Sequence, residues 1–182
     1  MIGIAQAAGL GAAALLFAAL LWSWLRPSRR IWPPHSPSPA VKVTAWGLTV
    51  AVFVSAFLVG VGDWNTIGLP AWLRWSVGGG MIVAGNAVVW AGVRAIGMDA
   101  TGGDATELGT GGFYRYSRNP QYVADMAILV GWQLLCASWL SIPVVLSGIA
   151  VLAFAPLPEE AWLEAQYGED YRSYKARVRR YL

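Results

Sequence analysis

Apolar and small residues run from Gly3 to Leu25 without a single charge, and Arg26 is the first interruption. A helix that crosses the hydrocarbon core needs about 20 such residues, so residues 3–25 read as a membrane-spanning helix. The run exceeds a secretory h-region and has no basic segment before it, which sets the signal-peptide reading aside. The next stretch, "RPSRRIWPPHSPSP", ends the helix through its prolines. A second apolar run covers about 43–61, and after the connector "GDWNTIGLP" a third covers about 72–96. Within the third, Gly78, Gly79, Gly80 and Gly85 suit close contact with a neighbouring helix. A glycine-rich polar loop spans 98–112. The last apolar stretch, Tyr122 to Leu157, is too long for one crossing and divides around Ala137–Ser141 into a helical hairpin. The pattern predicts an all-α polytopic membrane protein of about five transmembrane helices.

Beyond Pro158 the chain turns polar, with charges among aromatics to its end. Trp162, Leu163, Tyr167, Tyr171, Tyr174, Val178 and Tyr181 recur at near-helical spacing. The tail is therefore expected to be an amphipathic helix at the headgroup level. In domain terms, residues 1–182 read as one membrane domain, with three transmembrane helices in 1–97. Residues 98–182 hold the loop, the hairpin and the C-terminal helix.

Composition supports the bilayer as solvent: 57% of the 182 residues are hydrophobic and 13% are charged, against roughly 25% charged in a soluble domain. Eleven tryptophans suit the membrane–water interface. Cys136 is the single cysteine and His35 the single histidine, so neither an internal disulfide nor a histidine-cluster metal site is available. The formal charge of +3 suits anionic headgroups. Basic residues flank apolar spans rather than forming one face, which argues against a nucleic-acid partner. Arg26, Arg29, Arg30 and Lys42, then Arg94, Arg115 and Arg118, then Arg172 to Arg180 mark three basic segments. Five spans place all three on one side, the cytoplasmic one, with the N-terminus outside.

Two polar clusters carry the chemistry. "GGFYRYSRNPQY" precedes the fourth span and Glu159-Glu160 follows the fifth. An up-and-down hairpin of equal arms returns to one face, so Arg118, Asn119 and Tyr122 are expected beside Glu159 and Glu160. Headgroup anchoring by arginine and tyrosine explains such a cluster as well as a binding site does. Asp125 lies one helical turn beyond Tyr122 on the same face. It reads either as a pocket acid or as a group reaching the headgroups. Asn86 and Gln133 are expected to bond between helices.

The combination of "GGFYRYSRNPQY", the apolar hairpin and "PEEAWLEAQYGEDYRSYKARV" resembles membrane methyltransferases of the isoprenylcysteine carboxyl methyltransferase and phospholipid methyltransferase type. The resemblance covers about Thr106 to Val178. It rests on Gly112 and Tyr114, on Arg118-Asn119-Pro120-x-Tyr122, on Glu159-Glu160, and on Leu163, Tyr167-Gly168, Tyr171 and Tyr174. It implies S-adenosylmethionine as cofactor, held by Thr106, Glu107, Leu108, Gly109, Tyr114, Asn119, Pro120, Gln121, Tyr122 and Glu159, with Arg118 a partner for its carboxylate. Direct methyl transfer requires no metal.

Two positions depart from the family pattern. Asn119 stands where many relatives have histidine, and an amide positions but does not titrate near neutrality. Ala155 stands where carboxyl-methylating members have an arginine for the substrate carboxylate. With Asp125 on the pocket side, the acceptor reads as an amine on a lipidic or hydrophobic molecule, and Asp125 as the catalytic acid–base group. Asp125 and Ala155 are thus the candidate acceptor-site residues. Two other readings stand beside this one: a nicotinamide-dependent reductase of the sterol reductase type, and a non-catalytic lipid-binding membrane protein.

Overall fold

The computed structural model describes residues 1–34, 38–102 and 107–182. His35 and Thr106 lie outside them. The chain is an all-α polytopic membrane protein, and seven α-helices account for most of its described residues. They are α1 (Ile2–Leu25), α2 (Pro39–Gly62), α3 (Gly79–Thr101), α4 (Pro120–Cys136), α5 (Ile142–Phe154), α6 (Pro156–Tyr167) and α7 (Glu169–Arg177). A π-type stretch over Leu73–Gly78 leads into α3.

Four segments are long and apolar enough to cross a membrane: Ile2–Leu25, Pro39–Gly62, Leu73–Thr101 and Ile142–Tyr167. The fourth predicted span, α4, has 17 residues, a length of about 25 Å at 1.5 Å per residue. It packs antiparallel to α3 and is the first arm of the predicted hairpin, with α5 as the second. The long fourth segment is α5 running straight into α6. Ala155 between them keeps helical backbone angles, φ −51° and ψ −40°, while Pro156 and Pro158 lack the N–H groups a seamless helix would bond.

Local signals set the ends. Ser38 caps α2, its hydroxyl accepting from the Val41 N–H at 3.4 Å, with Pro39 in the first turn. Pro120 starts α4 in the same way. Gly97, at φ +86°, breaks α3 one turn before its end, and Gly168, at φ +55°, separates α6 from α7. A side chain is strained at either angle.

Glycine controls how closely α3 and α4 approach. A Cβ on Gly78 would lie 2.7 Å from the Gly131 carbonyl, and one on Gly85 would lie 2.6 Å from Ile128 Cγ1. Gly92 meets Gln121 equally closely, at 2.8 Å. These glycines recur every seven residues and so share a helix face. Gly79 and Gly80 fall on other faces and have nothing within 4 Å, which corrects the expectation that they make close helix contacts. The core is built from Ala12, Ala13 and Leu20 of α1, Val52 and Ala56 of α2, Leu129 of α4, and Val144 and Val145 of α5.

The polar residues inside the spans also differ from expectation in part. Asn86 bonds back to its own helix at the Ile82 carbonyl, 2.8 Å, rather than across to another. Gln133 serves the α4–α5 turn, donating to the Ser138 carbonyl at 2.9 Å and accepting from the Ser141 hydroxyl at 2.6 Å. At that end Asp63 accepts from the Ser138 hydroxyl at 2.6 Å, the Leu140 N–H at 3.0 Å and the Thr66 hydroxyl at 2.9 Å. Those bonds hold its carboxyl below the usual range, Ser138 contributing most. The three basic segments meet at the opposite end of the bundle, where the two predicted polar clusters come together.

Candidate functional site

The α4–α5–α6 arrangement brings the two clusters into contact. Tyr122 donates its hydroxyl to Glu159 Oε1 at 2.5 Å, and Arg118 Nη2 donates to Glu160 Oε1 at 2.7 Å. Each glutamate then takes a further donor from a distant segment. The Trp32 indole N–H reaches Glu159 Oε1 at 2.8 Å. Arg180 grips both oxygens of Glu160, at 2.8 and 2.9 Å.

The two glutamates are therefore different in kind. Glu160 belongs to an ion-pair cluster with Arg118 and Arg180, its side chain 6% exposed. Among the described residues Glu159 has no cation bonded to it; its partners are a tyrosine and a tryptophan, and it lines a cavity.

The C-terminal residues strap this cluster down. The Arg118 N–H donates to the Arg179 carbonyl at 2.9 Å, and the Asn119 amide donates to the Arg180 carbonyl at 3.0 Å. Arg118 also donates from Nη1 to the Val178 and Lys175 carbonyls, at 2.6 and 3.1 Å. Tyr181 donates to the Ala153 carbonyl.

The tail aromatics turn inward. Tyr171 is 1% exposed and Tyr174 is 5% exposed, and the Tyr174 hydroxyl bonds the Tyr114 carbonyl at 2.6 Å. Burial pushes the Tyr174 hydroxyl up to about 12, and it raises those of Tyr114 and Tyr171 further. The tail is helical, as its periodicity predicts. Of its aromatic stripe, Trp162, Tyr167, Tyr171 and Tyr174 form a wall of the site.

Two hollows adjoin here. The first, about 140 Å³, is enclosed by the loop residues Glu107, Leu108 and Gly109, by Tyr114, and by the aromatics of α6 and α7. Arg118, Asn119, Gln121, Tyr122 and Glu159 complete it. Of the predicted cofactor residues, Pro120 lies in the helix start and not in this wall, and Thr106 lies outside the described residues. The second hollow, about 360 Å³, is an apolar groove between α2 and α4 backed by α1 and α5. Asp125 and Ala155 both line it. Trp32, Thr101, Gln121 and Tyr122 border both hollows.

Trp32 is the residue sequence reasoning missed. It sits in a proline-rich loop whose turn is fixed by the Ser23 hydroxyl, which accepts from the Ile31 and Trp32 N–H groups at 3.0 and 3.1 Å. No periodicity links it to Glu159, 127 positions away.

Two buried donors beside the first hollow lack acceptors: Arg118 Nε and the Tyr171 hydroxyl make no hydrogen bond. They face each other, and the guanidinium lies within interaction distance of the phenol oxygen, so each is the other's nearest polar neighbour.

The protein is a membrane protein with an acid- and aromatic-lined cavity beside an apolar groove. The chain belongs to the phospholipid methyltransferase family, whose sequence pattern matches residues 73–170. It is also 25% identical over 103 residues, 55% of its length, to the steroid 5-alpha-reductase DET2 of Solanum lycopersicum. That match spans 39% of the reductase. An uncharacterized protein of Haemophilus influenzae is 34% identical over 62 residues, which is 34% of this chain and 98% of that relative. No solved structure matches the chain.

Proposed function

We propose that the protein is an S-adenosylmethionine-dependent methyltransferase whose acceptor is an amine on a lipidic molecule. The observation that carries this reading is the shared wall: Trp32, Thr101, Gln121 and Tyr122 border both the polar cavity and the apolar groove. A donor on one side and an acceptor on the other would meet across those side chains, and such alignment contributes roughly 7–11 kcal/mol.

The chemistry of the cavity lining suits the charged parts of the cofactor, while its volume of about 140 Å³ is that of one benzene, so the rest of the cofactor would extend beyond this hollow. Glu159 and the faces of the surrounding aromatics suit a ligand carrying positive charge. Arg118 and Tyr171 in the cavity wall would face its carboxylate. Glu107, Leu108, Gly109, Tyr114, Asn119, Gln121 and Tyr122 complete the enclosure, with Pro120 holding the start of α4. When bound, the cofactor supplies an electrophilic methyl group on a sulfonium.

The chain's own residues then align the nucleophile and manage its proton. Tyr122 and Trp32 fix the Glu159 carboxylate between the hollows. Asp125, one turn deeper in the groove, attracts a cationic headgroup and accepts the proton the amine loses. Ala155 leaves the groove without a cation for a carboxylate acceptor. Gathering of the basic segments at the site end supports a cytoplasmic position for that end and the C-terminus, with the N-terminus outside.

The similarity to the reductase favours a second reading, hydride transfer from a nicotinamide. A dinucleotide carries a pyrophosphate that needs cations. Among the described residues the cavity wall offers one cation, Arg118, against the two charges of a pyrophosphate.

The test is transfer of a labelled methyl group from S-adenosylmethionine to a lipid extract, with the product identified. Asp125→Asn should lower transfer about 100-fold or more, the scale of a positioned general base, with cofactor affinity retained. A prenylcysteine methyl ester as main product overturns the amine assignment. Absence of any labelled product overturns the methyltransferase reading.

A further inference from the structure

Helix α3 stands at the edge of the bundle, packed chiefly against α4, and one row of its outer face is poorly matched to lipid. Gly79, Val83, Asn86 and Trp90 follow the 4-3-4 spacing of a coiled-coil seam. Val83 is 72% exposed and Trp90 57%, and Asn86 is exposed between them. The Cβ position of Gly79 has nothing within 4 Å. The glycines that meet α4, Gly78 and Gly85, lie on another side of the helix.

Helix rise places Asn86 in the bilayer. It lies eight residues from Arg94 and eleven from Trp75, about 12 Å and 16 Å along the axis. The hydrocarbon core is about 30 Å thick, so the amide stands near its middle. One amide proton goes to the Ile82 carbonyl at 2.8 Å. Among the described residues nothing meets the second proton or Oδ1. Water does not reach that depth to satisfy them, and amides in membrane spans bond between helices.

We propose that this row is the interface between two copies of the chain, in which Asn86 bonds Asn86 of the partner subunit across a two-fold axis along the membrane normal. Copies inserted with the same topology carry the amide at the same depth. An amide both donates and accepts, so an isologous pair satisfies itself through two reciprocal N–H···O bonds. An unrelated partner would need a polar group of its own at that level. Gly79 permits close approach of the backbones, while Val83 and Trp90 supply packing area. Arg94 lies one turn beyond Trp90, at headgroup level, where water and salt screen it from its counterpart. None of the four seam residues lines the cavity or the groove, and the pairing stands independently of the methyltransferase reading.

The experiment uses the full chain in phosphatidylcholine vesicles, labelled at the N-terminal amine with donor or acceptor dye. Energy transfer followed as the protein-to-lipid ratio falls should trace a monomer–dimer equilibrium. Asn86→Leu should raise its midpoint about tenfold, and Asn86→Gln, which keeps an amide, should lie closer to wild type. At the lowest ratio, where the chain is monomeric, neither variant should unfold earlier than wild type. Oxidative cross-linking identifies the face. Val83→Cys should give disulfide-linked pairs and Phe57→Cys, on the exposed side of α2, should not; the native Cys136 is buried and sets the background. A chain that is monomeric at every ratio, equal cross-linking of Val83→Cys and Phe57→Cys, or a midpoint unmoved by Asn86→Leu overturns the proposal. Cross-linking of Val83→Cys in native membranes to a different polypeptide, without self-pairing, overturns it in favour of a heterologous partner.

Discussion

Replacing Glu160 by glutamine tests the ion-pair cluster that holds the Arg118-Asn119 turn. Glu160 is 6% exposed in its side chain and Arg118 is 9% exposed, with 2.7 Å between Arg118 Nη2 and Glu160 Oε1. Removing one partner of a buried pair costs about 3–5 kcal/mol, because the other charge stays behind without compensation. Arg118 retains carbonyl partners at Val178 and Lys175, which puts the expected loss near 3 kcal/mol, the lower end of that range. Arg180 is 38% exposed and rehydrates easily, adding about 0–1 kcal/mol. For a chain of this size, 1 kcal/mol moves the unfolding midpoint by about 2–4 °C, so a loss of about 3–4 kcal/mol should lower it by about 6–16 °C. Thermal unfolding in detergent or nanodiscs measures it. The control is Glu164→Gln: Glu164 is 36% exposed and pairs with Lys175 and Arg172 at 3.4 and 3.9 Å, so its loss should stay within about 1 kcal/mol. Equal shifts for the two variants would refute the claim that Glu160 is a buried anchor.

The helix interface makes a paired prediction. Gly85→Ala should destabilise by about 1–3 kcal/mol, since its Cβ meets Ile128 at 2.6 Å and the Ala124 carbonyl at 2.9 Å; Gly79→Ala, with nothing within 4 Å, should be neutral or slightly stabilising by the same unfolding measurement. Asp63 predicts a pH dependence. Its carboxyl is depressed by bonds from Ser138, Leu140 and Thr66, so its stabilisation is full above the ordinary carboxylate value and fades as pH falls through the folded-state value. Asp63→Asn should therefore flatten the acid limb of stability below about pH 4, and an unchanged limb counts against the link. For topology, a reporter at the N-terminus should be external and one at the C-terminus cytoplasmic; both on one side would remove the five-pass arrangement.

Apolar run lengths and proline positions were enough to locate the spans and the hairpin, because each depends on neighbouring residues. The meeting of Tyr122 with Glu159 and of Arg118 with Glu160 was legible for the same reason: equal helical arms return to one face. Asp125 was legible as a polar group in an apolar span, but its destination depended on how α2 and α4 diverge. Trp32 was not legible, since an indole in a proline-rich loop carries no sign of a partner 127 positions away. The glycines show the limit of reading density rather than spacing. Gly78 and Gly85 pack and Gly79 and Gly80 do not, because only a shared face can meet α4. In the tail, aromatic periodicity was right, but the break at Gly168 turns Tyr171 and Tyr174 into the cavity.

The central claim is that the Glu159 cavity binds S-adenosylmethionine, and calorimetry on the nanodisc-embedded protein tests it most directly. S-adenosylmethionine should bind the wild type. Glu159→Ala should weaken it by about tenfold to a hundredfold, the equivalent of losing a hydrogen bond to a charged group. Arg177→Ala, at an exposed position on α7, should leave affinity unchanged. Binding of a reduced nicotinamide dinucleotide in its place, or equal affinity in wild type and Glu159→Ala, would contradict the account.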